Sequence, residues 1–195
     1  THIMDWLGIK ACGDYDLNLN ILPEGADFKD AWNLAYAMED GLQRFYIELE
    51  RREQRSHLQA VFHKLASFED LHKERLLQAY ASTDRGTFDP ARIDTMANNY
   101  IEGCDSNNLS ITDVVSKIES TIDIFSISLA IEAQALDLYA RLSRMSKCPQ
   151  SAKLFMEMAF EERGHMAYVS EEMEKQIIRE QRDRILKLSN LIPTS

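Results

Sequence analysis

Apolar residues recur at helical spacing in four stretches of the chain, and the period fails between them. After Asp27, a residue suited to capping a helix, Leu34, Ala35, Met38, Leu42, Phe45, Tyr46 and Leu49 fall on one face. The pattern predicts a first helix over Phe28–Arg52. Ser56 with Gln59 three positions on reads as a capping box. Leu58, Val61, Phe62, Leu65, Phe68, Leu71, Leu76 and Leu77 then carry a second helix to about Ala81. From 82 to 110 the period is broken by Asp84, Gly86, Pro90, Asn98, Asn99, Gly103 and Asn107. This is a long connection, with short helices expected near 91–100 and 111–118. A third helix is predicted over 122–145. A fourth starts at Pro149, a favourable first helical position, and keeps its period to Met173. Its charged continuation, 175–187, reads as solvated helix. Residues 1–26 hold Gly8, Gly13, Pro23 and Gly25 without a helical period, and read as an extended lead-in to one domain over 27–190. The expected fold is all-α, an antiparallel four-helix bundle with a long crossover between helices 2 and 3.

Composition agrees with this reading. In 195 residues there are only 7 Gly and 4 Pro, too few turn formers for a sandwich or propeller. A hydrophobic share of 45% supplies a core and excludes intrinsic disorder. The formal charge of −10 repels phosphate backbones and anionic headgroups, so neither nucleic acid nor a membrane surface is an expected partner. No apolar run is long enough to span a bilayer, and no signal peptide is evident. Cys12, Cys104 and Cys148 form no Cys-x-x-Cys, which excludes a disulfide framework, a zinc knuckle and a rubredoxin-type iron site in this chain. A reducing, cytoplasmic setting is expected. The chain opens on Thr1, as a fragment or a processed protein would.

An internal repeat carries the chemistry. At an offset of 93 residues, Ala37, Glu39, Tyr46, Leu49 and Arg51 match Ala130, Glu132, Tyr139, Leu142 and Arg144. At the same offset Phe62, Ala66, Glu69 and His72 match Phe155, Ala159, Glu162 and His165. Each half therefore reads Glu, then Glu-x-x-His 30 residues later. With 17 Glu and 5 His in the chain, chance supplies about 0.4 Glu-x-x-His pairs; two occur, in register. Residues three apart share a helix face, so each Glu and His can converge on one point. Glu39 and Glu132 sit on faces that otherwise pack inward, where an unpaired carboxylate costs several kcal/mol. Two divalent cations would resolve this, because four carboxylates and two neutral imidazoles balance two M²⁺. That donor set suits iron or manganese better than calcium, magnesium or a thiolate-bound metal. The pairing of one Glu on each of two helices with Glu-x-x-His on the other two is the ligand pattern of ferritin-like di-metal bundles.

With these motifs the chain resembles the rubrerythrin-like branch of the ferritin-like di-iron carboxylate superfamily, from about Asp27 to Met173. The resemblance implies a ferritin-like bundle binding two iron ions, or manganese, through Glu39, Glu69, His72, Glu132, Glu162 and His165. Tyr46 and Tyr139, seven residues after Glu39 and Glu132, resemble the tyrosines beside such sites, implying hydrogen-bond or proton donors in catalysis. It also implies an oxidoreductase reducing hydrogen peroxide or dioxygen in oxidative-stress defence, an external electron-donor protein and a homodimer. Two departures stand out: rubrerythrins carry a further Glu where this chain has Ala135, and they usually carry a rubredoxin module. The ligand set is similar also to ferroxidase storage proteins, di-manganese catalases and di-iron hydroxylases. Trp6-Leu7-Gly8-Ile9-Lys10-Ala11 resembles the closing segment of a rhodanese domain, which would make 1–26 the tail of an upstream module.

Overall fold

The computed structural model describes residues 28–81, 115–116, 118 and 120–189. Four helices are present: α1 (Phe28–Arg52), α2 (Ser56–Ala81), α3 (Thr121–Met145) and α4 (Pro149–Ser189). There is no strand among the described residues. The lead-in 1–26, the Asp27 cap, the short helix expected near 91–100 and most of the one expected over 111–118 lie outside them.

Three helix ends show how local chemistry sets the boundaries. The α1–α2 connection is tied by Glu53, whose carboxylate accepts the amides of Gln54 and Arg55 at 2.8 and 2.9 Å. The capping box expected from Ser56 and Gln59 does not form. Ser56 is itself the first helical residue, and Gln59 donates instead to the Glu53 carbonyl at 2.7 Å. At the start of α3, Ser120 is the cap, its hydroxyl accepting the Asp123 amide at 3.1 Å. That cap places the helix start one residue earlier than the apolar pattern alone.

Short connections make α1–α2 and α3–α4 antiparallel hairpins. Cross-contacts give the remaining directions. Tyr139 bonds Glu39 while Tyr46 bonds Glu132, so α1 and α3 run in opposite senses. Arg75 pairs with Glu157, and His57 lies 3.4 Å from Gln176, so α2 and α4 do too. Consequently α2 and α3 run the same way. Arg55, at the head of α2, bonds Thr121 at the head of α3. Ala81 is 25 helical rises from Ser56, about 37 Å, which is why the connection between α2 and α3 is long.

Two apolar clusters fill the interior. One gathers Trp32, Leu76, Tyr80, Leu138, Tyr139, Phe155 and Met158; the other Phe45, Tyr46, Phe62, Leu65, Phe125 and Val169. Phe155 stands 4.8 Å from Trp32 and 6.1 Å from Tyr139 between ring centroids; its repeat partner Phe62 lies 6.3 Å from Phe125. Truncating either Phe to Ala is expected to cost about 3–5 kcal/mol. Urea unfolding measures this, and a loss under about 1 kcal/mol would contradict the packing described.

Some residues of the apolar pattern are not core. Leu71 and Leu77 are exposed, because each sits one position from a buried neighbour and rotates off the inner face. The last buried residue of α4 is Gln176. Beyond it the helix continues about 20 Å as solvated helix, as expected, although it also presents Ile178, Ile185, Leu186 and Leu188. Among the described residues no helix is long and apolar enough to cross a membrane.

Candidate metal centre

Between the two apolar clusters every helix changes character at the same level. On α1, Glu39 lies between Ala37 and Leu42; on α3, Glu132 lies between Ile127 and Ala135. Glu69 and His72 on α2 lie between Ala66 and Leu76, and Glu162 and His165 on α4 between Ala159 and Val169. The structure thus brings all six residues singled out from the sequence into one polar layer. The four glutamates are at most 1% exposed. No Lys or Arg pairs with them among the described residues.

The two halves are arranged alike. Both histidines aim Nδ1 at the centre. Glu162 lies between them, Oε1 at 3.1 Å from His72 and Oε2 at 3.0 Å from His165. Glu39 turns Oε2 toward His72 Nδ1 at 3.3 Å and accepts the Tyr139 hydroxyl on Oε1. Glu132 does the same, Oε2 at 3.4 Å from His165 Nδ1 and Oε1 accepting Tyr46 at 2.9 Å. Each tyrosine therefore serves the glutamate of the other half. Glu69 differs: neither of its oxygens has a hydrogen-bond partner, the nearer one lying 3.7 Å from His72 Nδ1. A fully buried carboxylate with both oxygens unbonded is costly alone and favourable beside a cation.

The electrostatics point the same way. Burial, then the charges of Glu132 and Glu39, push the Glu69 carboxyl well above its usual range. Burial pushes Glu132 up to about 8 against the pull of His165. In Glu162 the opposite balance holds: burial raises it, but bonds to His165 and His72 prevail and hold it at about 2. Burial opposes charge on His72, yet Glu39, Glu161 and Glu162 push it up to about 12. Glu132 and Glu162 likewise outweigh burial at His165, raising it to about 9. Raised carboxyl and imidazole groups thus favour protons in the layer. Burial first, then the neighbouring carboxylates, raise Tyr46 and Tyr139 well above the usual phenol value, so both remain O–H donors.

Ligand atoms within 4.8 Å of one another form three groups: Glu39, His72 and Glu162; Glu132, Glu162 and His165; and Glu69 with both histidines. These buried groups could hold metal ions. Glu161, the neighbour of Glu162, is only half-exposed and bonds His72 Nε2 at 3.1 Å. Phe68 stacks on His165, ring centroids 4.4 Å apart and planes 4° from parallel. The signal for both was present: they are the residues just before the two Glu-x-x-His motifs.

Two antiparallel hairpins, a long crossover and a mid-bundle layer of four Glu and two His define a bundle of the ferritin-like class. The family model described as Rubrerythrin matches residues 123–187, covering nearly all of α3 and α4. Residues 123–187 are thus similar to that family over about a third of the chain. The match does not extend to residues 6–11, and the rhodanese resemblance there lies outside the described residues. No curated protein and no solved structure gives a significant match to the chain.

Proposed function

We propose that the layer binds two iron ions, with manganese as the alternative metal, and that the protein is an oxidoreductase reducing hydrogen peroxide or dioxygen. The observation that carries this reading is the paired geometry: two inward Nδ1 atoms with Glu162 between them, each backed by a tyrosine-tethered glutamate. Glu39 with His72 would hold one ion and Glu132 with His165 the other. Glu69 and Glu162, each facing both histidines, would be shared. When bound, such a pair supplies electrons to an O–O bond and Lewis acidity at both of its oxygens.

The chain's own residues set the conditions. Tyr46 and Tyr139 fix the outer oxygens of Glu132 and Glu39 and hold a proton at the hydroxyl beside the centre. The apolar clusters above and below exclude bulk water, so charge inside acts in a medium of low dielectric. Reduction of hydrogen peroxide consumes two electrons and two protons and yields two waters. The electrons would come from an outside donor protein, because this chain holds no four-cysteine iron module. The 27–190 domain boundary, a cytoplasmic setting and a homodimer belong to the same proposal.

Stopped-flow mixing of the anaerobic diferrous protein with peroxide, and separately with dioxygen, tests the reading. Fast stoichiometric oxidation by peroxide and slow reaction with dioxygen are expected. Inertness toward both oxidants overturns it. Gas release by a dimanganese form would replace it with a catalase, and iron accumulation far beyond two per chain with a ferroxidase store. Tyr46→Phe and Tyr139→Phe are each expected to slow the peroxide step by about 100- to 1,000-fold, the range of a lost proton or hydrogen-bond donor, while leaving two metals per chain.

A further inference from the structure

The offset of 93 residues repeats every proposed ligand and both tyrosines, but not the residue before each Glu-x-x-His: it is Phe68 in the first half and Glu161 in the second. Because α2 and α4 are antiparallel, each of these residues lies against the histidine of the other half. Phe68 presents a flat hydrocarbon face to His165. Glu161 presents a carboxylate oxygen to His72 Nε2 at 3.1 Å. Its carboxylate is held in turn by Arg75, whose second arm reaches Glu157 at 3.1 Å. No hydrogen bond reaches Nε2 of His165 among the described residues.

A carboxylate accepting from Nε2–H fixes the imidazole as the tautomer with its lone pair on Nδ1, and raises its strength as a ligand. His72 Nδ1 faces Glu39 and Glu162, so this tautomer is aimed into the layer. The ring of Phe68 gives His165 no such preference. We propose that Glu161 is a positioning residue for His72 that makes the two halves of the centre inequivalent, the His72 side binding its ion more tightly. The proposal rests on the reading of the six buried residues as ligands. Loss of such an outer partner typically costs 10- to 100-fold in metal affinity, and that sets the expected size.

Titration of the metal-free chain with Mn²⁺ under anaerobic conditions, followed by calorimetry, reads the two binding steps. Wild type is expected to show a tight and a weaker step. Glu161→Leu should weaken the tight step by about 10- to 100-fold and leave the weaker within about twofold. Glu161→Gln, whose amide oxygen still accepts from Nε2–H, should lose less. Arg75→Gln breaks the same surface ion pair but leaves Glu161 beside His72. If it matches Glu161→Leu, the effect is helix packing and the proposal falls. The assignment to one side comes from paired variants. Glu161→Leu should act in a His165→Ala background and have no effect in a His72→Ala background; equal effects in both overturn it. A wild type that binds no Mn²⁺ overturns the ligand reading itself. Two equal wild-type steps overturn only the role of Glu161.

Discussion

Glu69→Leu is expected to raise the melting temperature of the metal-free protein and to abolish the rise that metal produces in the wild type. Glu69 is fully buried and both its oxygens lack a hydrogen bond. Burial and the neighbouring carboxylates already push it toward the neutral acid. A buried polar group without a hydrogen bond costs about 1–3 kcal/mol, so an apolar side chain of similar volume in its place is neutral or stabilising by about that much. For a chain of this size each kcal/mol shifts the midpoint by about 2–4 °C. Metal at a thousandfold excess over its dissociation constant would stabilise the wild type by about 4 kcal/mol, and the variant should gain little of this. Thermal melts with and without Mn²⁺, together with metal analysis per chain, measure both effects. A variant that still loads two ions, or whose metal-free form melts well below wild type, contradicts the role given to Glu69. The residue would then be needed for packing and not for a cation. The opposed signs matter, because a merely structural carboxylate predicts loss in both states.

The features legible in the sequence share a physical origin. Side chains that meet at one level of a bundle need helical spacing, an inward face and flanking apolar residues. Glu39, Glu69, His72, Glu132, Glu162 and His165 carry all three marks twice over. The long crossover was legible because the period fails over 82–110. What was not legible depends on the neighbouring helix. Glu161 looks like one of many surface glutamates until α2 brings His72 and Arg75 against it. Leu71 and Leu77 look like core until the rotation of their helix is fixed by packing. The capping box at Ser56 failed for a local reason, since the helix began one residue too early for Ser56 to be the cap. A one-helix pattern sets which face is apolar, and only tertiary contact sets what that face meets.

The stabilisation produced by metal is expected to widen as pH rises, because protons and cations compete for the same atoms. In the metal-free protein Glu132 at about 8, His165 at about 9 and His72 at about 12 lie above their ordinary values of 4.5, 6.5 and 6.5. A group whose folded pKa is raised stabilises the fold in full below its unfolded value and loses that contribution as pH climbs through the folded one. Glu162, held at about 2, acts oppositely and loses its contribution as pH falls below 4.5. The metal-free bundle should therefore be most stable near pH 4.5, where Glu162 has gained its full contribution and Glu132 has not begun to lose its own, and weaken steadily toward pH 9, by about 1.4 kcal/mol per pH unit for each excess proton bound by the folded state. Metal binding needs neutral imidazole and ionised carboxylate, so it expels these protons and its affinity rises with pH. Melting midpoints measured from pH 6 to 8.5, with and without saturating Mn²⁺, should diverge. Calorimetry in buffers of different ionisation enthalpy should show at least one proton released per ion. A metal-induced shift that is flat or shrinks over this range would mean that the ion binds elsewhere, at groups already deprotonated, and not in the buried layer.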